Sequence, residues 1–209
     1  VQRHVKAPIG SIPTTARFET VHLDIVGPLP PSGGNHYLAT VIERFIQWPE
    51  VIPVPDMSTE TVATAFVNTW VSRFGVPKFI ITNRGSQFES TLWGHLMQAL
   101  GIERRRTTAY HPSCNGAVER FHRSLKASLR ATCTDDKWHL ALPLVLLGLR
   151  TAIKKTGYSP AQLVYGTLLA IPGQFFAEAA EADRITDDFV RSFFRHMSTL
   201  TAPDRKSTR

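Results

Sequence analysis

Three polar side chains occupy positions at which phosphate chemistry could take place. Asp24 interrupts an otherwise apolar, strand-like segment, where a carboxylate costs free energy unless it meets a cation, a hydrogen-bond donor or a metal ion. Asn83 lies in a polar turn between a short apolar strand and a helix, a frequent place for the site residues of α/β proteins. Glu119 opens a helical segment rich in arginine and lysine. A carboxylate there could hold a hard divalent ion while the neighbouring cations hold a phosphate backbone.

The segment that begins near Glu119 has two distinct faces when it is drawn as a helix. At about 100° per residue, one face carries Glu119 followed by Arg123, Lys126 and Arg130. An adjacent stripe is apolar and predicts the buried side; its members are Val118, Phe121, Leu125 and Leu129. Taken alone, Glu119 is explained more simply by an ordinary ion pair with Arg123 one turn later.

The other two positions also have simple structural explanations. Asp24 could serve a nearby turn as an aspartate at the end of a strand. The turn formed by Asn83, Arg84 and Gly85 could be explained by the tolerance of Asn and Gly for positive φ angles. Neither position establishes a function by itself.

The charge balance indicates an anionic partner without identifying it. The 209 residues contain 24 Lys plus Arg and 17 Asp plus Glu, which gives a formal net charge of +7. Most of this excess falls between Gly101 and Arg130, where seven basic residues stand against two acidic ones. Such a segment is typical of a surface that faces a polyanion, and the alternative is a solvated basic face with no ligand.

Composition excludes several classes of protein. Hydrophobic residues make up 43% and charged residues 20%, which are the values of a folded globular chain. No apolar run approaches the roughly 20 residues that cross a bilayer, and the first residues show no signal-peptide pattern. We therefore expect no membrane partner and a reducing, intracellular environment. Two cysteines, Cys114 and Cys133, are too few for a disulfide framework or a four-ligand zinc site by themselves.

Periodicity predicts an α/β domain with a mixed sheet to hold these residues. Strands are expected at 18–26, 37–42, 51–54, 79–81 and 102–107. Helices are expected at 58–71, 91–100, 116–132 and from 135 or 136 to 149. We divide the chain into a linker (1–16), a core domain (17–157) and a C-terminal extension (158–209) with one helix near 187–197.

Seven short strings of the chain together resemble the catalytic core of retroviral-type integrases, most closely those of the Ty3/Gypsy class of LTR retrotransposons. The likeness covers about residues 4–172. The strings are 22–30 (HLDIVGPLP), 43–50 (ERFIQWPE), 74–77 (FGVP), 83–88 (NRGSQF), 107–112 (TTAYHP), 115–123 (NGAVERFHR) and 158–160 (YSP).

This resemblance implies an RNase H-like fold, with a mixed five-stranded sheet flanked by helices, and a D,D-35-E site that holds two Mg²⁺ or Mn²⁺ ions. Matched residue by residue, the first acid is Asp24 and the last is Glu119. The middle position, with 35 residues between it and Glu119, is Asn83. These three are the implied catalytic and metal-binding positions.

The implied activity is DNA integration, in which the core binds retroelement DNA ends and target DNA. It would carry out 3′-end processing and strand transfer by two-metal phosphoryl transfer. The implied partners are DNA and further copies of the chain, as a dimer or larger homo-oligomer, and the implied compartment is the host nucleus. The residues implied to contact DNA are Arg84, His111, Ser113, Asn115, Arg120, Arg123, Lys126 and Arg130.

Asn83 departs from the family pattern, which has a carboxylate at this position. An amide can offer a carbonyl oxygen, but one negative charge and a possible bridging oxygen are lost. We therefore expect the chain to keep the fold and the DNA-binding surface and to be severely impaired in catalysis. The alternative is a non-catalytic DNA-binding or assembly protein derived from a retrotransposon integrase. A simple RNase H-like nuclease fits the integrase strings around Trp48 and 115–123 less well.

Smaller features complete the comparison with the family. Residues 1–7 resemble the segment that follows the last cysteine of the family's N-terminal zinc module, so we expect no zinc in this chain. Glu43 stands where these integrases usually have Asp. Ser113 and Cys114 replace the Gln-Ser or Gln-Ala pair that is common there, so DNA contacts in that loop are expected to differ.

Overall fold

Five strands form one mixed sheet in the computed structural model, which describes residues 16–106, 112–133, 137–154, 156–169 and 171. The strands are β1 (Thr20–Val26), β2 (Tyr37–Glu43), β3 (Pro49–Val54), β4 (Phe79–Thr82) and β5 (Glu103–Arg106). Their order across the sheet is β3-β2-β1-β4-β5. The first three pair antiparallel, whereas β4 is parallel to β1 and β5 is parallel to β4. The expected mixed five-stranded sheet is confirmed.

Seven helices flank this sheet in the described ranges. They are α1 (Thr59–Phe66), α2 (Ser72–Phe74), α3 (Ser86–Glu89), α4 (Thr91–Leu100), α5 (Pro112–Thr132), α6 (Trp138–Thr151) and α7 (Pro160–Tyr165). A π-helical turn, Val67–Val71, joins α1 to α2. The side chain of Ser58 caps α1, and Gly101 ends α4 in the left-handed conformation. None of the described helices combines the length and the apolar character needed to span a membrane.

The parallel pairing of β1 with β4 positions two of the implied site residues. Leu23 is opposite Thr82 in the register, so Asp24 and Asn83 are the next residues at the same edge. On its other side, Asp24 pairs with Thr40 of β2. Because side chains alternate along a strand, Asp24 projects to the same face of the sheet as His22.

Apolar side chains cover both faces of the sheet. On one face, Val21 and Leu23 pack with residues of α1, the π-helical turn and α4. On the other face, Val26 and Leu38 pack with residues of α5 and α6. The apolar stripe predicted on α5 belongs to this second core; Val118, Leu125 and Leu129 are buried, and Phe121 is half-buried. The burial of the stripe leaves the basic side of α5 in solvent.

Several element boundaries differ from the expected ones for identifiable reasons. α5 begins at Pro112, four residues before the expected start, because a proline lacks an N–H and is tolerated in the first turn. β1 begins at Thr20 because Phe18 has a φ angle of 62°, which lies outside the strand region. Two short helices, α3 and α7, have no expected counterpart because four and six residues show too little periodicity. The helix expected at 187–197 lies outside the described residues.

α7 packs against the core, although it falls in the segment expected as a C-terminal extension. Ala161 is fully buried, and the ring centroids of Tyr165 and Trp48 are 5.6 Å apart. Beneath this contact, Glu50 of β3 accepts a hydrogen bond from Trp48 Nε1 at 3.0 Å and pairs with Arg150 of α6 at 2.7 Å. Residues 160–165 therefore contribute to the same packing unit, while the division of the chain into three segments stays a prediction.

Candidate functional site

Asp24, Asn83 and Glu119 line one pocket of about 140 Å³. Asp24 lies in the second half of β1, Asn83 directly follows β4, and Glu119 lies on α5. His22 and His122 also line this pocket. The fold therefore brings together the three positions that the integrase resemblance implies, and it adds two imidazoles to them.

The side-chain amide of Asn83 faces Asp24 as a hydrogen-bond donor. Its oxygen accepts the backbone N–H of Gly85 at 2.8 Å, so its NH₂ group is the part that points at Asp24. That group donates to Asp24 Oδ1 at 2.8 Å. The same Oδ1 also accepts the backbone N–H of Ile25 at 2.8 Å. One oxygen of the Asp24 carboxylate is thus occupied by two N–H donors.

The other carboxylate oxygen of Asp24 faces an imidazole. His122 Nδ1 lies 3.9 Å from Asp24 Oδ2, and His122 Nε2 lies 3.0 Å from the hydroxyl oxygen of Thr40. The Thr40 hydroxyl donates its single hydrogen to the backbone oxygen of Asp24 at 3.1 Å. It therefore accepts from Nε2–H, which leaves Nδ1 of the neutral ring as an acceptor directed into the pocket.

Burial shifts the pKa values of both Asp24 and His122. Loss of hydration raises the pKa of Asp24, and the Ile25 N–H and the nearby His122 oppose that shift. Burial lowers the pKa of His122, and the Asp24 carboxylate opposes the shift. A lowered pKa keeps the His122 imidazole neutral near pH 7, in agreement with the acceptor state that its hydrogen bonds assign to Nδ1.

Glu119 lies on the exposed side of α5, one helical turn before His122. Both Glu119 and Arg123 are described, and no ion pair joins them. The explanation of Glu119 as one half of a simple helical ion pair therefore has no support in the structure. The basic residues predicted for this face, namely Arg120, Arg123, Lys126 and Arg130, are all exposed.

The remaining implied DNA contacts are located only in part. Arg84 is exposed and directly follows Asn83. Ser113 and Asn115 fall in the first turns of α5, but their side chains are outside what the structure describes. His111 lies outside the described residues altogether. The roles assigned to these residues stay predictions.

Sequence reasoning missed His122, which lines the pocket, and Thr40, whose hydroxyl group contacts the His122 ring. His122 follows Glu119 by three residues on the same helix, and this spacing could have indicated a shared edge of the helix. Thr40 carries no such signal, because it lies in an apolar strand and contacts His122 across 82 residues of chain. Only the packing of α5 on the sheet brings the two together.

The residues present do not fit a pair of hard divalent ions. Two such ions need shared carboxylate charge, yet among the described residues the pocket has two carboxylates, Asp24 and Glu119, and an NH₂ group of Asn83 is directed at Asp24. In the part of the chain that is described, no three His, Cys, Asp or Glu side chains already lie close enough together to hold a metal ion. Phosphoryl transfer through two ions is therefore not supported by this arrangement.

The buried His22 makes the fold sensitive to acid. Burial, aided by the charge of Arg44, lowers the pKa of His22 from 6.5 to about 4. The unfolded chain therefore binds a proton that the folded chain excludes, so stability is lost as the pH falls from 6.5 to about 4. We expect this group alone to remove about 3 kcal/mol over that range.

Urea unfolding of the parent chain and of His22→Gln at pH 7.5, 5.5 and 4.5 measures this effect. Because all other groups titrate in both proteins, the difference between the two curves of unfolding free energy against pH isolates the contribution of His22. Parallel profiles would contradict the assignment, whereas a flatter profile in the variant is the expected result.

Comparison with known proteins identifies the family. Residues 14–112 match the family described as "Integrase core domain". The chain is 32% identical over 162 residues to the retrovirus-related Pol polyprotein from transposon 412 of Drosophila melanogaster, which covers 76% of this chain. It is 29% identical over 181 residues to the Gag-Pol polyprotein of Woolly monkey sarcoma virus, which covers 85% of it. The matched segments are only 13% and 10% of the length of these two relatives.

Integrases are among the solved structures that have a similar fold. The catalytic core domain of BIV integrase has a TM-score of 0.58 at 22% identity, covering 70% of this chain and 93% of that one. A second similar structure is a chain of the simian T-cell lymphotropic virus intasome in complex with the PP2A regulatory subunit B56 gamma. It has a TM-score of 0.64 at 18% identity, and the match covers 81% of this chain and 62% of that one. These similarities confirm the expected RNase H-like architecture. The family model and the sequence relatives show that this chain belongs to the integrase core family of retroviruses and retrotransposons.

Proposed function

We propose that this chain is the core of a Ty3/Gypsy-class integrase that binds retroelement DNA ends and target DNA but has strongly reduced phosphoryl-transfer activity. The observation that carries the proposal is the Asn83 amide, which donates to Asp24 in the pocket shared with Glu119. A basic helix face beside an incomplete acidic pocket is suited to holding DNA and poorly suited to cutting it.

The exposed side of α5 supports DNA binding. None of its basic residues makes an ion pair within the described part of the chain, so their charge is available to phosphates. Lysine and arginine that neutralise phosphates release condensed counterions, and this release drives binding that weakens with salt. The four residues concerned are Arg120, Arg123, Lys126 and Arg130.

The chemistry of the pocket supports reduced catalysis. Two divalent ions about 3.5–4 Å apart repel each other unless carboxylates lie between and around them. Position 83 supplies a donor in place of that charge, and Glu89 cannot substitute because it is paired with Arg104 and Arg106 at 2.7 and 2.8 Å. The alternative function, a non-catalytic DNA-binding or assembly protein, is favoured by the same amide and differs only in having no residual turnover.

The partners and the compartment belong to the same proposal. Joining two DNA ends to a target requires at least two copies of the core, so we infer a dimer or a larger homo-oligomer. The structural relatives include the HTLV-2 integrase catalytic core in complex with magnesium and an intasome, which agrees with a role on DNA. Action on host DNA would take place in the nucleus.

The basic face can be tested by its salt dependence. Replacing Arg123 and Lys126 with Ala should lower the slope of log Kd against log salt concentration by about 2, because two phosphate contacts are lost. Fluorescence anisotropy with a labelled duplex at several salt concentrations measures this slope.

The matched control removes the same charge elsewhere. Arg73 and Lys78 lie before β4, at the opposite end of that strand from Asn83, and each is paired with an acidic side chain. Their double replacement with Ala should leave the slope nearly unchanged. An unchanged slope in the α5 variant would mean that this face is only solvated.

A further inference from the structure

We propose that the proline segment, residues 28–31 (PLPP), is a docking site for a protein domain of the WW type, whose groove of aromatic rings binds polyproline II helices. The segment lies in the connection between β1 and β2, and it belongs neither to the pocket nor to the basic side of α5. Docking at this segment is therefore independent of DNA binding and of turnover. The backbone, the proline rings and the hydrogen bonds of the segment each support it.

The backbone of the proline segment has the shape of a polyproline II helix. A proline ring fixes its own φ angle near about −65°, and it keeps the residue before it out of the α-helical region. Leu29 and Pro30 each precede a proline, so both are extended, and residues 27–31 belong to neither a strand nor a helix. A polyproline II backbone completes one turn in about three residues and forms no internal hydrogen bonds.

One side of this turn faces the core and the other side faces solvent. Leu29 is half-buried and packs with apolar residues of α5 and α6. With about three residues per turn, Pro28 and Pro31 share one edge of the helix, and Pro30 lies on another. All three proline rings are exposed. The chain thus presents an apolar face of three rings, and such a face is what an aromatic-lined groove contacts in a polyproline II ligand.

Hydrogen bonds to neighbouring elements hold this face in place. The Leu29 N–H donates to the backbone oxygen of His36 at 2.7 Å. The indole Nε1 of the buried Trp138, at the start of α6, donates to the backbone oxygen of Pro30 at 2.7 Å. A segment that is already ordered loses little conformational entropy when it binds, and this favours affinity.

The polar groups of the segment favour an aromatic protein groove over DNA. The connection 27–35 (GPLPPSGGN) contains no Lys, Arg, Asp or Glu, so it offers no charge to phosphates. The three prolines lack a backbone N–H, and the N–H of Leu29 is already bonded to His36. An apolar groove can therefore cover this face without leaving a backbone donor of residues 28–31 unsatisfied.

NMR titration of an isotope-labelled WW domain with the unlabelled full chain tests the inference. The domain is one that binds proline-leucine-proline ligands, and the indole signal of its groove should shift as the chain is added. Decaproline, which is itself a polyproline II helix, should displace the chain from the groove. Replacing both Pro30 and Pro31 with Ala should weaken binding at least about tenfold, because two of the three rings are lost.

Pro143→Ala is the matched control, because Pro143 is also exposed but lies within α6. It should leave the affinity within about twofold of the parent chain. Thermal unfolding establishes that each variant is folded, and displacement of the parent chain by decaproline decides the question if the double variant is not. Absence of binding by the parent chain, binding that decaproline does not displace, or affinity unchanged in the folded double variant would overturn the inference. None of these results alters the salt-slope test of DNA binding.

Discussion

Replacing Asn83 with Asp should raise Mn²⁺-dependent strand transfer onto target DNA by at least about 100-fold. The substitution returns one negative charge to the pocket that Asp24 and Glu119 line, and it removes the NH₂ group that now faces Asp24. Carboxylate oxygens at both positions can then share divalent ions, which an amide donor prevents. Strand transfer with DNA that mimics the element's ends, measured in parallel for the two proteins, gives the ratio directly.

The control for this experiment is the double variant Asn83→Asp with Glu119→Gln. It keeps the restored charge at position 83 but loses the last acid, so its activity should return to the level of the parent chain. Equal activity in the parent chain and in Asn83→Asp would refute the proposal of impaired catalysis. Binding of the same DNA by both proteins separates a failure of chemistry from a failure of binding.

The same substitution should also make the stability of the fold depend on Mg²⁺. In EDTA, Asn83→Asp should be about 2 kcal/mol less stable than the parent chain, because a hydrogen bond to a charged group is replaced by a second carboxylate. Millimolar Mg²⁺ should restore most of this loss, since an ion that binds only the folded state stabilises it. The parent chain should gain little from Mg²⁺. Urea unfolding of both proteins, each with and without Mg²⁺, measures the four free energies of unfolding.

Asn83→Ala separates the two causes of this destabilisation. It removes the same hydrogen bond without adding charge, so it should lose about 1 kcal/mol and should not respond to Mg²⁺. Carboxylate repulsion accounts for the rest of the loss in Asn83→Asp. If the Asp form proves as stable in EDTA as the Ala form, repulsion with Asp24 is absent and the geometry at β1 and β4 is not as described.

Much of the fold could be predicted from periodicity because the segments are long and regular. The apolar alternation of β1 and the amphipathic pattern of α5 each extend over several residues, and both elements are present in these segments although their first residues differ from the expected ones. The misses concern short or local features. α3 has four residues, and the start of β1 at Thr20 rather than at Phe18 depends on the left-handed φ angle of Phe18, which no propensity of phenylalanine indicates.

For the candidate site, spacing and residue type predicted which residues belong to the site. They did not predict which atom of each side chain faces the pocket. The distance of 35 residues between position 83 and Glu119 is a property of the chain itself, and so is the identity of Asn83. Whether its amide presents oxygen or NH₂ to Asp24 depends on the backbone N–H of Gly85, which takes the oxygen. That choice exists only after the turn between β4 and α3 has formed.

By itself, the sequence determined that this chain carries an integrase core, that its middle acid is an amide and that a basic face follows Glu119, since these depend on residue identity and order alone. The tertiary structure decided that the amide is a donor toward Asp24 and that His122 reaches Asp24 and Thr40. These contacts join residues that are 59, 98 and 82 positions apart, and hydrogen-bond direction between such distant groups follows from packing rather than from local pattern.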